Sequence, residues 1–212
     1  MAFWNKYGIT LAILRRYDVR CIHQCHLSKS ATAKYTVYGS VKNPTYGYMF
    51  NNNKGIKIYR PLSTNRFLYA GELPKPYIFG LNQLPNTGNY LYITGGEKDV
   101  LSLAAHGFTA ICFNSETSSL PIKTIKELYS RFNHIIIMYD SDITGIHESS
   151  IRLRELQSKQ YNRTYKLTLP LAGTKREKDI SDFFSLGHSA VELQALTAAV
   201  INQQDHGQSN DH

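Results

Sequence analysis

Cysteine is scarce in this sequence, with three among 212 residues. So small and odd a number argues against a disulfide framework and for a reducing compartment. The opening stretch MAFWNKYGIT lacks the uninterrupted apolar segment of a secretory leader, and no apolar run approaches the roughly 20 residues of a membrane span. A cytoplasmic protein with no membrane association is the expectation. Glycine-rich nucleotide loops are missing too: there is neither a Walker A loop nor a GxGxxG fingerprint. Acidic residues are nearly missing from the first part. Residues 1–85 hold two acidic and twelve basic side chains, whereas residues 86–212 hold fourteen acidic and twelve basic. The formal net charge of +8 is therefore a property of the first part. Such a split suggests one region that holds a polyanion and another whose acidic clusters hold metal cations. A solubilising charge excess is the plainer alternative.

The chain is long enough for one large domain or two small ones, and its rhythm changes near Pro85. Before that point, GITLAILRRYDV has the spacing of a short helix with two arginines on its far side. The runs KYTVYGSV, YGYMF, GIKIYRP and RFLYAG follow, separated by Gly, Asn and Pro, and read as an antiparallel sheet with tight turns. Residues 1–85 are thus expected to form a small basic α+β subdomain, and FGLNQLPNTGN a connector. Residues 86–203 alternate strand-like runs (YLYIT, FTAICF, HIIIMY, TYKLTLP) with helical ones, the signature of a mainly parallel, Rossmann-like α/β sheet. Residues 204–212 read as a frayed polar tail.

The stretch IIIMYDSDITG, residues 135–145, carries the chemistry. Its apolar run reads as a strand buried on both faces, which ends in Asp140 and Asp142. In an open α/β sheet that edge is where ligands bind. Glu97 and Asp99 follow the first strand of this half after a TGG turn, and Asp179 and Asp182 follow the fourth in KREKDISDFF. Crowded carboxylates resist ionisation unless a cation neutralises them. Oxygen ligands select Mg²⁺ or Mn²⁺, which suits phosphoryl transfer. Gly95 and Gly96 would let backbone N–H groups approach a phosphate. The plainer readings are Asp at a helix cap, and Asp99 in a first turn where it complements the macrodipole. Glu116, after the second strand, is an extra candidate ligand, with a loop cap as its alternative. CIHQCH, residues 21–26, is too compressed for a tetrahedral zinc site and reads as strand or turn. Trp4 reads as an anchor of the N-terminus to the basic subdomain.

Taken in order, ITGGEKDVLSLAAHGF, IIIMYDSDITG and LPLAGTKREKDISDFF resemble the three motifs of a TOPRIM domain. That module is shared by DnaG-type primases, topoisomerases and some nucleases. EKDVLSL and KDISDFF are most similar to primases and phage-type primase-helicases, and the resemblance spans roughly residues 75–186. Upstream, KGIKIYRPLSTNRFLYAGELPKPYIFGLNQLP resembles the basic subdomain that precedes TOPRIM in primase cores. The resemblance implies a catalytic core that makes RNA primers on single-stranded DNA from nucleoside triphosphates. It implies Glu97, Asp140 and Asp142 as catalytic residues, and Glu97, Asp140, Asp142, Asp179 and Asp182 as ligands for Mg²⁺ or Mn²⁺. It further implies Lys54, Lys57, Arg60, Arg66, Lys98 and Lys178 as contacts to nucleotide or template. The zinc-binding and helicase modules usual in primases have no counterpart here, so a helicase or a separate zinc-binding template-recognition module is an expected partner. Two alternatives stay open: a TOPRIM nuclease, and a non-catalytic factor that binds single-stranded DNA.

Overall fold

The computed structural model describes residues 1–28, 34–118 and 120–209; the last three residues of the expected polar tail lie outside the described residues. The chain opens with one helical turn, α1 (Ala2–Asn5). It divides into two compact units: Met1–Phe3 with Thr10–Tyr77, and Trp4–Ile9 with the chain from Ile78 onward. The division thus falls ahead of Pro85, and Trp4, fully buried, packs in the second unit.

In the first unit, α2 (Leu11–Arg16) is started by Thr10, whose hydroxyl accepts from the Ile13 amide at 3.4 Å. The strands are β1 (Val19–Cys21), β2 (Gln24–Ser28), β3 (Lys34–Tyr38), β4 (Tyr46–Phe50), β5 (Gly55–Tyr59) and β6 (Phe67–Gly71). They form a four-stranded antiparallel sheet in the order β1-β4-β5-β6 and a separate β2-β3 hairpin. The β4–β5 turn is built by Asn51, Asn52 and Asn53, all at positive φ, a conformation that asparagine tolerates better than most residues. Buried Leu27, Val37 and Ile58 centre one cluster; the buried Tyr59 ring lies between those of Tyr48 and Phe67, and the buried Tyr46 ring stacks on Phe3. These tyrosines are core residues. CIHQCH spans the end of β1 and the start of β2, as strand and turn, and His26 Nδ1 lies 2.9 Å from the Thr36 hydroxyl.

The second unit carries a five-stranded sheet, ordered β11-β10-β8-β9-β7. Its elements are β7 (Ile78–Phe79), β8 (Gly88–Thr94), α3 (Glu97–Ala105), β9 (Ala110–Phe113), α4 (Ile122–Arg131), β10 (Phe132–Met138), α5 (Ile143–Ser158), β11 (Thr164–Lys166), α6 (Ile180–Ser185) and α7 (Ala190–Ser209). All neighbouring strands are parallel except β7, whose two residues pair antiparallel with β9. The stretch read as a connector overlaps this edge strand at Phe79 and runs into β8 at Gly88 and Asn89. β8 and β10 are central and covered on both faces, so their apolar runs are nearly continuous, with Leu91, Ile93, Ile135, Ile136 and Ile137 fully buried. The helix α7 continues through Ser209, into the stretch expected to fray. No helix among the described residues is long and apolar enough to cross a membrane.

Candidate metal centre

Parallel pairing brings the carboxyl ends of β8, β9 and β10 to one edge of the sheet. From β8 the chain moves to β9 on one side, whereas β10 lies on the other. This reversal of strand order is where open α/β sheets leave a crevice for ligands.

Asp140 leaves β10 at this edge, and its backbone amide donates to Glu116 Oε1 at 2.9 Å. Asp142 caps α5, accepting from the Gly145 amide at 3.0 Å. Gly145 has no room for a side chain, because a Cβ would lie 2.1 Å from the Asp140 carbonyl oxygen. The glycine after DSD thus lets the first turn of α5 close against Asp140. Lys178 Nζ bridges the pair, 2.6 Å from Asp140 Oδ2 and 2.7 Å from Asp142 Oδ2. The segment before α6 is pinned to this turn: the Ser141 amide donates to the Lys178 carbonyl at 2.7 Å and its hydroxyl to the Leu169 carbonyl at 3.1 Å.

The packing of α6 on α3 supplies the other half. The His106 ring stacks on Phe184 at 3.6 Å between centroids, and the Ser181 hydroxyl donates to Asp99 Oδ1 at 2.7 Å. Asp179 caps α6, accepting from the Asp182 amide at 2.9 Å, while Asp182 accepts from the Lys178 amide at 3.1 Å. Lys98 Nζ lies 2.7 Å from Asp179 Oδ1 and 3.2 Å from Asp99 Oδ1. Carboxylate oxygens of Asp99, Asp140 and Asp179 come within 4.8 Å of one another. Three oxygen donors at that spacing fit a hard divalent cation.

The electrostatics show what the cluster costs. Burial, with Asp179 adding to it, raises the Asp99 carboxyl well above the ordinary carboxylate range. Burial also raises Asp140, against the pull of Lys178, and pushes Glu116 up to about 7 with help from Asp140 and Asp142. Burial and neighbouring Asp179 raise Asp182. Two carboxyls go the other way. The hydrogen bond from Lys178 lowers Asp142, and at Asp179 burial acts upward but Lys98 outweighs it. Burial works against both ammonium groups, yet the carboxylates they bridge hold Lys98 and Lys178 firmly charged. Each lysine occupies a position that positive charge stabilises.

Of the residues singled out from sequence, the structure gathers Asp140, Asp142, Asp179, Asp182, Lys98 and Lys178 at this edge. Glu97 is buried at the first position of α3 and is not one of the three converging carboxylates. Asp99, grouped with the acidic residues of this edge but with a macrodipole role as its plainer reading, is one of them. A helix turns about 100° per residue, so positions two apart point to nearly opposite sides, and Glu97 and Asp99 cannot share a face. That spacing was a signal available in the sequence. In the first unit, Lys54 and Arg66 are exposed and Arg60 is half-buried. Lys57 is 2% exposed, with Nζ 4.6 Å from the Phe67 ring centroid and 5.0 Å from that of Tyr77.

No family model matches the sequence, and no curated protein matches it. Solved structures do. The structure described as the DnaG catalytic core is similar over 93% of this chain and 71% of its own, with a TM-score of 0.71 at 14% identity. The DnaG primase catalytic domain bound to ssDNA follows at 0.69 and 15% identity, over 93% and 72% of the two chains. The primase fragment of the bacteriophage T7 primase-helicase gives 0.57 at 16% identity, over 91% and 72%. The chain has the fold of these primase catalytic cores, with the mainly parallel α/β sheet and the basic antiparallel region expected from sequence.

Proposed function

We propose that this chain is a primase-type catalytic core that joins ribonucleotides on a single-stranded DNA template with Mg²⁺ or Mn²⁺. The observation that carries this reading is the convergence of Asp99, Asp140 and Asp179 at the strand-order reversal of a primase-core fold. Those three aspartates would hold the cation, with Asp142 beside them. When bound, the ion supplies positive charge to phosphate oxygens and eases deprotonation of an attacking hydroxyl. Lys178, which now neutralises Asp140 and Asp142, is placed to turn its ammonium toward the triphosphate of the incoming nucleotide. Lys98 holds Asp99 and Asp179 in register. Asp182 fixes the Lys178 backbone rather than joining the three.

In the first unit, Arg60 lines a surface groove of about 630 Å³ with Lys34, Tyr35 and Tyr38. Cationic side chains interleaved with tyrosines suit phosphates and stacked bases, and we assign the template to this groove. Lys54 and Arg66 add exposed positive charge. Lys57, under its aromatic rings, holds the sheet. A helicase or a zinc-binding module would select the template.

The test is a denaturing gel of labelled single-stranded DNA, with and without nucleoside triphosphates and Mg²⁺ or Mn²⁺, comparing wild type with Asp99→Asn and Asp140→Asn. New triphosphate-dependent products that vanish in both variants support the reading. Cation-dependent shortening of the DNA without triphosphates would replace it with a nuclease, and binding without chemistry would replace it with an accessory factor.

A further inference from the structure

We infer that Glu116, on the loop between β9 and α4, is the glutamate of this cation site, seated through a gap left open by the missing side chain of Gly95. The inference rests on the reading of Asp99, Asp140 and Asp179 as cation ligands. Glu116 Oε1 accepts from the Asp140 backbone amide at 2.9 Å, so the carboxylate is one hydrogen bond from a member of the converging three. A Cβ built on Gly95 would lie 2.6 Å from that same oxygen and 3.2 Å from the Glu116 Cγ and Cδ atoms. Gly95 is not among the glycines with positive φ, so its backbone conformation does not call for glycine. What calls for glycine is the carboxylate beside it.

The two residues come from adjacent strands. Gly95 follows the last residue of β8, and Glu116 lies three residues beyond the end of β9, so parallel pairing puts their loops side by side at the ligand edge. A glutamate entering from β9 meets Asp140 at the end of β10 by crossing over the end of β8. A side chain at position 95 would meet the Glu116 carboxylate on that path, and the carboxylate would have to shift. Glu97, the glutamate that the sequence motif nominates, starts α3 and is buried there. Glu116 therefore fixes the Asp140 main chain and contributes negative charge to cation binding.

Mn²⁺ affinity, measured by calorimetry on the full chain without nucleotide or DNA, tests this independently of primer synthesis. The variants are Glu116→Gln, Gly95→Ala, Glu116→Ala and the Gly95→Ala/Glu116→Ala pair. Glutamine keeps an acceptor for the Asp140 amide but loses the charge. The expected result is a roughly 10- to 100-fold loss of affinity in Glu116→Gln, the usual scale for groups that orient or support ligands, with the melting temperature in chelator not lowered. Gly95→Ala should weaken binding in the wild-type background and be neutral in Glu116→Ala, where the seat is empty. Wild-type affinity in Glu116→Gln would overturn the inference and leave Glu116 a loop cap. An equal effect of Gly95→Ala in both backgrounds would overturn the gap. Tight Mn²⁺ binding with this pattern but no primer synthesis would uphold the inference and sink the primase reading. No Mn²⁺ binding by the wild type would sink both.

Discussion

Lysines withdrawn wholly or partly from solvent are stabilised in two different ways in the two units. In the first, Lys57 lies beneath the rings of Phe67, Tyr77 and Tyr69, whose negative π faces attract an ammonium. In the second, Lys98 and Lys178 each bridge two aspartates. Aromatic faces are weak acceptors and poor metal ligands, so a cation held that way is structural. Paired carboxylates bind hard divalent ions more strongly than they bind an ammonium, so the bridging lysines mark positions open to exchange. The difference teaches where to look for chemistry: a lysine withdrawn from solvent says little by itself, and the acceptor that holds it says whether another cation can compete.

The largest expected effect breaks the second arrangement at its centre. Asp140→Asn removes one of the three converging carboxylates and one partner of Lys178, and primer synthesis should fall by roughly 100-fold or more, scored on the gel described above. Next comes Lys178→Met. Without divalent ions, Asp140 and Asp142 then repel each other uncompensated, and stability in chelator should drop by about 1–3 kcal/mol, measured by urea unfolding. If the lysine stands where a cation competes, Mn²⁺ should restore more stability to this variant than to wild type. An equal Mn²⁺ effect in the two proteins would refute the exchange.

Much of this contrast was legible in the sequence. IIIMYDSDITG shows a strand buried on both faces ending in acids, and the structure places Asp140 and Asp142 at the end of β10. The alternation of strands and helices showed the parallel sheet, because each element kept its own hydrophobic period. Asp99 was underweighted because an acid in the first turn of a helix has a sufficient local explanation; only the approach of α6, through Ser181, shows that it faces the other acids. Gly95 was read as part of a turn that lets backbone N–H groups approach a phosphate; its neighbour Glu116 could not be read, because it is 21 residues away on another loop. Lys57, expected to contact nucleotide or template, is buried, for a reason the sequence does not show. Strand alternation tells which residues share a face, but which face is buried depends on what packs there, and here aromatic rings cover the lysine side.

The first unit provides the counterpart to Lys178→Met. Lys57→Met keeps the aliphatic stem and removes the charge from beneath the rings, forfeiting a cation–π contribution of about 0.5–2 kcal/mol while sparing the desolvation of an ammonium. The net change in stability should stay within about 1 kcal/mol of wild type, and the Mn²⁺-induced shift in melting temperature should be unaltered. A lost Mn²⁺ shift would show that the two kinds of lysine are not independent, and the comparison would fail.

The smallest effect concerns pH and isolates one charge of the second arrangement. Asp142→Asn preserves the cap of α5, because asparagine caps as well as aspartate, and removes only the charge that pairs with Lys178. Asp142 is held below its ordinary value by that lysine, so the unfolded chain binds its proton at a higher pH than the folded one does. Its contribution is therefore fully present above the unfolded aspartate value of about 3.9 and is lost as pH falls through the lowered folded value. In chelator, wild type should exceed Asp142→Asn by less than about 1 kcal/mol near neutral pH, and the two unfolding curves should merge under strong acid. A gap that persists below pH ~2 would mean that the stabilisation comes from the cap geometry rather than from the lysine. Asp142 would then lose its place among the carboxylates that a divalent cation could take over.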